Sequence, residues 1–342
     1  MQFTRIALKV LFPLLLLFIV SCAPNQPAEV AISGETMGTT YSIKVVQRSE
    51  IPIDVKALKD QIDAALIQVN ALMSTYDPNS ELSQLNKTAA GIPFSISEQT
   101  EFVLKEAIRL HSLSSGSLDV TVGPLVNLWG FGPDKRAEVI PTQSQLREIA
   151  DYVGIDKFEM NLGVVTKLHA NLYIDLSTIA KGYGVDAVAD IIEANDIGDY
   201  LIEIGGEMRV AGKKANGSDW RIAIEKPITN ERAIQKIISI GNNAVATSGD
   251  YRNYFEQDGI RYSHLIEPKT GYPITHNLVS VTVVHASSMT ADGLATALNV
   301  MGADQAKVLA ISEDLAVFMI IKQDQEFIEY ASPAFVRDVK QD

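Results

Sequence analysis

The sequence predicts an α+β fold in which a mixed or antiparallel sheet forms the core and helices flank it. Three observations support this prediction. Helical and strand patterns are interleaved along the 342 residues, they lack the regular βαβ rhythm of a doubly wound sheet, and no internal repeat or low-complexity linker divides the chain. We therefore expect residues 29–337 to form one folding unit, with two subdomains that share an interface as the alternative.

The first half of the chain carries one predicted strand and two predicted helices. Residues 39–46 are β-branched and roughly alternating, which predicts a strand. Apolar residues recur at spacings of three and four over 55–72, which predicts a long amphipathic helix before a turn at 76–79. Ser97 can cap a second helix. The inward face of that helix is predicted to carry Phe102, Val103, Ala107 and Leu110. The stretch 119–132 is not periodic enough for a helix.

The second half is predicted to be mostly β. A strand, a turn and another strand are expected over 158–176, followed by a helix over 180–194 with Val185, Val188, Ile191 and Ile192 inward. Further strands are predicted at 201–204, 220–224, 244–247, 279–284 and 316–321. Two helices, over 290–301 and 303–311, are expected to precede the last strand.

The N-terminal residues are predicted to be a targeting signal. Two basic residues precede an apolar run from Val10 to Val20, which is too short to span a bilayer as a mature helix. The run ends in Ile19-Val20-Ser21-Cys22, which resembles the lipobox of bacterial lipoproteins. We therefore expect residues 1–21 to be removed, Cys22 to be acylated and residues 22–28 to form a lipidated tether. An ordinary signal peptide with a chance cysteine is the alternative.

The cysteine count and the charge limit the possible partners. Cys22 is the only cysteine, so no internal disulfide can form. Two acyl chains on this residue would anchor the protein stably to the bilayer, in the cell envelope and facing away from the cytoplasm. The formal net charge is −13, and an acidic chain of this kind is a poor nucleic-acid binder.

A carboxylate and a hydroxyl are spaced for one face of a helix near the C-terminus. Asp292 and Thr296 are four residues apart and offer only oxygen, which suits Mg²⁺. The alternative is that Asp292 merely sits in the first helical turn, where the helix dipole favours it, and that Thr296 packs in the core.

Residues 175–183 are predicted to turn from a strand end into a helix N-terminus, which attracts phosphate through backbone N–H groups. Lys181 adds positive charge there. The alternative is that Asp175 and Ser177 cap the helix and Gly182 permits close packing. The sharp turns at 205–206 and 247–251 either approach a ligand or are plain hairpin turns.

His264 is the remaining candidate for chemistry. A hydroxyl and a carboxylate flank it, in Ser263 and Glu267. A histidine in this setting is either a general base or a structural hydrogen-bonding residue. Spacing alone leaves both interpretations open.

Taken together and in this order, these segments resemble the ApbE family of FAD:protein FMN transferases. The matching blocks are 34–41, 74–83, 119–124, 129–132, 175–183, 247–252, 264–273 and 291–296. They extend from about Ile32 to Val317, and eight ordered blocks are far more specific than any one of them. The departure is at Ser117-Leu118, since small or aromatic residues commonly precede the aspartate in this family. Any contact made by Ser117 is therefore less secure than one made by Asp119.

The resemblance implies a role for each matched residue. FAD would be bound by Met37, Tyr76, Ser117, Leu118, Asp119, Asp175, Lys181 and Ile266. Met37 and Tyr76 would contact the flavin, whereas Asp175 and Lys181 would hold the adenosine or diphosphate region. The isoalloxazine or ribityl portion would be held by Ser117, Leu118 and Asp119. Mg²⁺ would be held by Asp292, Thr296 and the carbonyl of Ala180, with Thr178 as a candidate further neighbour.

The implied activity makes residues 29–337 a catalytic domain that transfers FMN from FAD to a serine or threonine hydroxyl of an acceptor protein and releases AMP. His264 would assist deprotonation of that hydroxyl. FAD is then a substrate rather than a redox cofactor, and the acceptor would be a membrane redox subunit with a short Ser/Thr target motif. The alternatives are a Mg²⁺-dependent FAD pyrophosphatase that yields FMN and AMP, and a lipoprotein that binds FAD without turnover.

Overall fold

The computed structural model describes residues 27–49, 51–132, 139–228, 233–251, 253–324 and 326–341. Cys22 and the predicted signal segment lie outside the described residues, as does nearly all of the predicted tether. Among the helices described, none combines the length and the apolar character needed to cross a membrane.

Strands and helices alternate irregularly along the described chain. The strands are β1 (Ala28–Thr36), β2 (Thr39–Gln47), β3 (Pro93–Ser95), β4 (Phe158–Asn161), β5 (Val164–Lys167), β6 (Tyr200–Ile204), β7 (Glu207–Ala211), β8 (Ile222–Glu225), β9 (Ile234–Ser239), β10 (Ala244–Gly249), β11 (Tyr254–Gln257), β12 (Ile260–Ser263), β13 (Leu278–His285), β14 (Ala316–Gln323), β15 (Glu326–Ala331) and β16 (Lys340–Gln341). The α-helices are α1 (Val55–Met73), α2 (Glu81–Lys87), α3 (Glu98–Leu113), α4 (Gly123–Leu128), α5 (Gln143–Ala150), α6 (Ala180–Ala194), α7 (Ser288–Met301), α8 (Ala303–Ser312) and α9 (Pro333–Asp338).

One large antiparallel sheet organises the fold. In the described residues it contains eight strands in the order β1-β2-β6-β7-β10-β13-β14-β15. Each neighbouring pair of these strands is antiparallel. The smaller sheets are β16-β9-β8, β3-β5-β4 and β11-β12. The α+β prediction is confirmed, and of its two forms the antiparallel one is found.

The central sheet is covered on both faces, as β14 illustrates. Val317 and Met319 belong to a core shared with α3 and α7. Phe318 and Ile320, which alternate with them, belong to a second core shared with β8, β9 and α9. Because successive side chains of a strand point to opposite faces, an uninterrupted apolar run of this kind marks a strand that is buried on both sides.

Helix α6 begins and ends where the sequence pattern predicts. Val185, Val188 and Ile192 are buried against α1, β2 and β6, whereas Ile191 is only half-buried. The apolar period of 3.6 residues is strong here, and packing on the sheet fixes the face that it defines.

Three predictions about the first half were wrong or incomplete. Phe102, predicted to face inward on α3, is 58% exposed, and its ring lies 6.3 Å from the ring of Tyr183. The stretch 119–132, predicted to lack helix, contains the short helix α4, which has a proline in its first turn. Helix α2, capped by Ser80, was not predicted. Helices of one or two turns carry too little periodic signal to be recognised in the sequence.

Candidate active site

A cavity of about 370 Å³ opens between the central sheet, helices α6 and α7, and the loops after α3 and β12. Most of the predicted site residues line it. These are Ser117, Leu118, Asp119, Thr178, Lys181, His264, Ile266, Asp292 and Thr296. Gly205, in the β6–β7 turn, and residues 247–249, at the end of strand β10, line the same cavity. Both segments that were open between a ligand contact and a plain turn therefore lie beside it.

Four predicted residues do not line the cavity. Ala180 is buried at the first position of α6, next to Lys181. The Asp175 carboxylate accepts a hydrogen bond from the Ser177 N–H at 2.9 Å. Met37 lies in the β1–β2 turn, and Tyr76 is 73% exposed. The predicted contacts of Asp175, Met37 and Tyr76 with FAD, and of the Ala180 carbonyl with Mg²⁺, stay predictions.

Met37 nevertheless packs close to the N-terminal part of α6. A Cβ atom built on Gly184 would lie 2.6 Å from the Met37 methyl carbon. The backbone of Met37 has a positive φ of 49°, which is uncommon for a residue with a side chain. A tight turn and a glycine on α6 therefore hold this methionine against the helix.

Helix α6 starts without a side-chain cap, within the described part of the chain. The interpretation that Asp175 and Ser177 cap it is therefore wrong. The interpretation that Gly182 permits close packing is confirmed, since a Cβ atom there would lie 2.3 Å from the Ser288 carbonyl oxygen. The free N–H of Gly182 instead donates to the Asp292 carboxylate at 3.0 Å. Helix α6 thus presents its N-terminus to a buried acid on α7.

Lys181 is the positive charge of the cavity wall. Its Nζ lies 2.5 Å from Glu207 Oε1 and 4.0 Å from Asp292 Oδ1. Burial lowers the pKa of Lys181, but the carboxylates of Asp292 and Glu207 raise it by more, so that it lies above the ordinary lysine value. The ammonium group is therefore charged and faces two acids.

The carboxyl groups of Glu207 and Asp292 can carry two negative charges, of which Lys181 neutralises one. Burial raises the pKa of Glu207 to about 7, the Asp292 carboxylate adds to this rise, and Lys181 opposes it. Burial likewise raises the pKa of Asp292, while Lys181 and the Gly182 N–H oppose the rise. Glu207 Oε2 is buried without a hydrogen-bond partner among the described residues. Two crowded carboxylates with one counter-charge favour the approach of another cation.

The donor atoms around Asp292 fit Mg²⁺ rather than a softer metal. No group of three or more His, Cys, Asp or Glu side chains that could hold a metal occurs in the described ranges. Asp292 and Thr296 both line the cavity from α7, where Asp292 lies beyond the first turn. The Thr178 hydroxyl is buried and lacks a partner among the described residues. Carboxylate, hydroxyl and carbonyl oxygens are the donors that Mg²⁺ prefers.

The tautomer of His264 follows from its hydrogen bond. Its Nδ1 lies 3.0 Å from the carbonyl oxygen of Asn253, which also accepts the His264 backbone N–H at 3.1 Å. A carbonyl oxygen only accepts, so Nδ1 carries the proton and Nε2 keeps its lone pair. The flanking Ser263 and Glu267 bond elsewhere, to Leu265 and Thr270. The histidine is thus held structurally through one nitrogen and left basic at the other.

The protonation state of His264 suits a base. Burial lowers the pKa of the imidazole below its ordinary value, the Asn253 carbonyl opposes this change, and the positive charge of Arg261 lowers the pKa further. The ring is therefore neutral at pH 7. Among the residues that the structure describes, none occupies Nε2, and a neutral imidazole with this lone pair available in a cavity can accept a proton.

Hydrogen bonds fix Asp119 in the wall of the cavity. Its Oδ1 accepts hydrogen bonds from the Thr121 N–H at 2.8 Å and from the Thr121 hydroxyl at 2.6 Å. His111 donates through Nδ1 to the Leu118 carbonyl at 2.8 Å. Burial raises the pKa of Asp119, and the Thr121 hydrogen bonds oppose the rise. Neighbouring side chains therefore fix the conformation of the segment 117–119.

The family model described as the ApbE family matches residues 37–319. The chain belongs to the ApbE family. A relative from Vibrio cholerae, named FAD:protein FMN transferase, is 52% identical over 321 residues that cover 94% of this chain and 95% of the relative. A Haemophilus influenzae relative of the same name is 49% identical over 322 residues, which cover 92% of this chain and 93% of the relative.

Solved structures of the ApbE family share the fold. A structure described as flavin transferase ApbE from Vibrio cholerae matches with a TM-score of 0.85 at 51% identity, covering 91% of this chain and 99% of the other. The family and the fold predicted from the sequence are thereby confirmed.

Glu207 is a charged residue of the cavity wall that was not predicted from the sequence. It follows the Gly205-Gly206 turn that was singled out as a possible ligand contact. Its partner Lys181 is distant in sequence, and the two meet because β7 lies against α6. An acid directly after a glycine turn at a strand end was the available signal.

Proposed function

We propose that this protein is a Mg²⁺-dependent transferase that moves FMN from FAD to a serine or threonine hydroxyl of an acceptor protein and releases AMP. Membership of the ApbE family supports the choice of FAD and FMN. The observation that carries the proposal is that two features line one cavity: an acid-rich cation site and a neutral imidazole whose Nε2 no described residue occupies.

The cation site would neutralise negative charge on the diphosphate of FAD. Lys181 is protonated and lies at the N-terminus of α6, where backbone N–H groups favour phosphate. Asp292, Thr296 and the carbonyl of Ala180 would hold Mg²⁺, with Thr178 nearby. When bound, the metal ion offsets negative charge on the diphosphate oxygens.

The base acts on the acceptor. The acceptor hydroxyl gives its proton to Nε2 of His264, and its oxygen forms a bond to the phosphorus of the FMN half of FAD. The bond between that phosphorus and the bridging oxygen breaks, and AMP leaves with this oxygen. The products are an FMN phosphoester on the acceptor and free AMP, so the atoms balance without an oxidant or a reductant.

The flavin half is assigned by resemblance alone. Met37 and Tyr76 would contact the flavin, and Ser117, Leu118 and Asp119 would hold its isoalloxazine or ribityl portion. Ile266 would also contact FAD. Asp175 would lie near the adenosine or diphosphate region. These assignments rest on the matched sequence blocks.

Hydrolysis is the closest alternative, because water in place of the acceptor would yield FMN and AMP. The cavity borders on solvent, so exclusion of water depends on the docked acceptor. A carrier that binds FAD without turnover has no need for a free Nε2 on His264. The arrangement of this imidazole therefore favours an enzyme over a carrier.

The protein is proposed to act at a membrane. The lipobox-like segment ending at Cys22 supports a lipid anchor in the bacterial cell envelope. A membrane redox subunit with a Ser/Thr target motif is the acceptor that such an anchor would bring within reach.

The test is to mix protein lacking residues 1–22 with FAD, Mg²⁺ and a target-motif acceptor, and to follow AMP release and acceptor mass together. Acceptor that gains the mass of FMN as AMP appears supports the transferase. Free FMN and AMP without labelling indicate a hydrolase, and intact bound FAD indicates a carrier.

A further inference from the structure

Helices α6 and α7 are in backbone contact where α7 begins. A Cβ atom on Gly182 would lie 2.3 Å from the Ser288 carbonyl oxygen and 2.8 Å from the Met289 Cα. Asp186 is four residues further along α6 and therefore lies on the same face of the helix. The glycine sets how closely the two helices approach, and the aspartate lies one turn away at the same junction.

Each oxygen of the Asp186 carboxylate accepts two hydrogen bonds at this junction. Its Oδ1 accepts hydrogen bonds from the Ser288 N–H at 3.0 Å and from Arg209 at 2.9 Å. Its Oδ2 accepts from the Ser287 hydroxyl at 2.7 Å and from the Met289 N–H at 3.0 Å. Four donors from two other elements converge on one side chain that is only 16% exposed.

Helix α7 does not need Asp186 as its cap. Ser287 already caps this helix, since its hydroxyl oxygen accepts the Thr290 N–H at 3.2 Å. What Asp186 adds is a set of hydrogen bonds between helices, supported by a negative charge at a helix N-terminus. Arg209 extends the connection to strand β7, where it lies two residues after Glu207.

The three elements joined by Asp186 are those that carry the cation site. Helix α6 provides Ala180 and Lys181, α7 provides Asp292 and Thr296, and β7 provides Glu207. Within the part of the chain that the structure describes, no hydrogen bond or ion pair links Asp186 to these side chains, so it can act on them only by setting how the elements lie against one another. Mg²⁺ demands near-ideal octahedral geometry, so small displacements of the ligating groups lower the affinity for the metal.

We propose that Asp186 is a positioning residue of the cation site, which fixes the crossing of α6 and α7 and thereby brings the oxygen donors of the two helices together. This inference rests on the metal part of the proposed function. It concerns a residue that touches neither the metal donors nor the cavity.

The experiment measures Mn²⁺ binding to the full chain by electron paramagnetic resonance, with and without FAD. In Asp186→Asn and Asp186→Ala we expect the Mn²⁺ dissociation constant to rise about tenfold, the lower end of the range for groups that hydrogen-bond to metal ligands directly, because Asp186 acts only through the helix crossing. Asp186→Glu keeps the charge but lengthens the side chain, so it changes the crossing, and we expect it to weaken Mn²⁺ binding too.

Ser332→Ala is the matched control for a loss of stability. Ser332 is fully buried and caps α9, with hydrogen bonds to Val317 and Phe335, in a core on the other face of the central sheet. We expect this variant to lose stability and to keep the Mn²⁺ affinity of the wild type. A loss of affinity in the control as large as in the Asp186 variants would mean that stability alone is responsible, and would overturn the inference.

Two further outcomes would overturn it. Folded Asp186→Asn protein with unchanged Mn²⁺ affinity would show that the connection does not position the donors. Wild-type affinity in Asp186→Glu would show that charge, not helix crossing, is what Asp186 contributes.

If Asp186→Ala does not fold, the measurements on Asp186→Asn and Asp186→Glu decide the question. Wild-type protein that transfers FMN but binds no Mn²⁺ would remove the cation site itself, a failure of the proposed function that the FMN assay makes visible separately.

Discussion

The two halves of the cavity are built in different ways. Lys181, Glu207 and Asp292 lie on helices and a strand that belong to the central sheet and its cores. His264 instead follows the two-stranded β11–β12 sheet, and the backbone carbonyl of Asn253 orients its ring. Regular secondary structure holds the first group of residues, which we call the cation half. A loop holds His264, which we call the base half.

The packing around the two halves differs in the same way. The loop with His264 lies beside a separate aromatic cluster that includes Trp129, Phe131 and Phe255. The Trp129 indole N–H donates to the Gly271 carbonyl at 2.8 Å and ties this cluster to the loop. Charge stabilisation requires groups that do not reorganise, whereas a base must meet the hydroxyl of a separate protein. We therefore expect the cation half to be rigid and the base half to be the more adaptable of the two.

The largest effect is expected in the base half. His264→Ala removes the proton acceptor, so we expect FMN transfer to fall by about 10²–10⁴-fold, the range for loss of a general base. FAD binding should persist, because the cation half is intact. Transfer rate and FAD dissociation constant are measured in parallel. His169→Ala is the control, since His169 stacks on Tyr152 away from the cavity. Full transfer by the His264 variant would remove this residue from the mechanism.

A change in the cation half should alter the Mg²⁺ dependence of the transfer rate. Asp292→Asn keeps an acceptor for the Gly182 N–H but removes the charge. Because loss of an outer-shell partner alone costs about 10–100-fold in metal affinity, the Mg²⁺ concentration for half-maximal transfer should rise at least about tenfold. The measurement is a Mg²⁺ titration of the rate. Asp304→Asn makes the same charge change at an exposed position of α8 and should leave the titration unchanged. An unaltered Mg²⁺ requirement in Asp292→Asn would contradict the assignment.

Rigidity of the cation half can be tested through stability. In Gly182→Ala the new methyl group would meet the Ser288 carbonyl, so we expect the free energy of unfolding to fall by about 1–3 kcal/mol, as for other overpacked sites. Gly198→Ala is the control, because a Cβ atom there meets nothing within 4 Å. Chemical denaturation measures both. Equal stability of the two variants would mean that the helix junction yields easily and is not rigid.

The same contrast explains what the sequence could predict. Helix α6 was predicted with its observed limits because its apolar period is long and regular. The pairing of Asp292 with Thr296 also followed from spacing, since four residues make one helical turn. The contact between Lys181 and Glu207 did not follow, because it depends on which strand lies under α6. Local periodicity reports which face of an element is buried but not which neighbour covers it.

The orientation of His264 was equally hidden from sequence reasoning. The choice between base and structural residue depends on which nitrogen is occupied, and that is decided by the Asn253 carbonyl across the β11–β12 hairpin. Neither Ser263 nor Glu267, the neighbours in sequence, makes the deciding contact. A resemblance to a family named the residue, but only tertiary structure assigns its tautomer.

The smallest effect concerns the pKa of His264. Burial first, and Arg261 in addition, lower this pKa below the ordinary histidine value of about 6.5. Since the neutral ring is the active form, transfer should be lost as pH falls through that lowered pKa. Arg261→Gln removes a positive charge, so the pKa should rise and the loss should begin at higher pH, while Arg261→Lys keeps the charge and should change it less. Glu207, Asp292, Asp119 and Lys181 also face the cavity and are the same in all three proteins.

The imidazole resonances, assigned by their loss in His264→Ala, give this pKa directly by NMR titration. That readout separates His264 from Glu207, whose pKa of about 7 also falls within the range of the titration. A His264 pKa above about 7 in the wild type would mean a mainly charged ring at pH 7 and would contradict its role as base. If the His264 pKa is the same in Arg261→Gln and in the wild type, the Arg261 charge does not reach the imidazole in solution. The loop would then hold His264 less firmly than its hydrogen bond to Asn253 indicates.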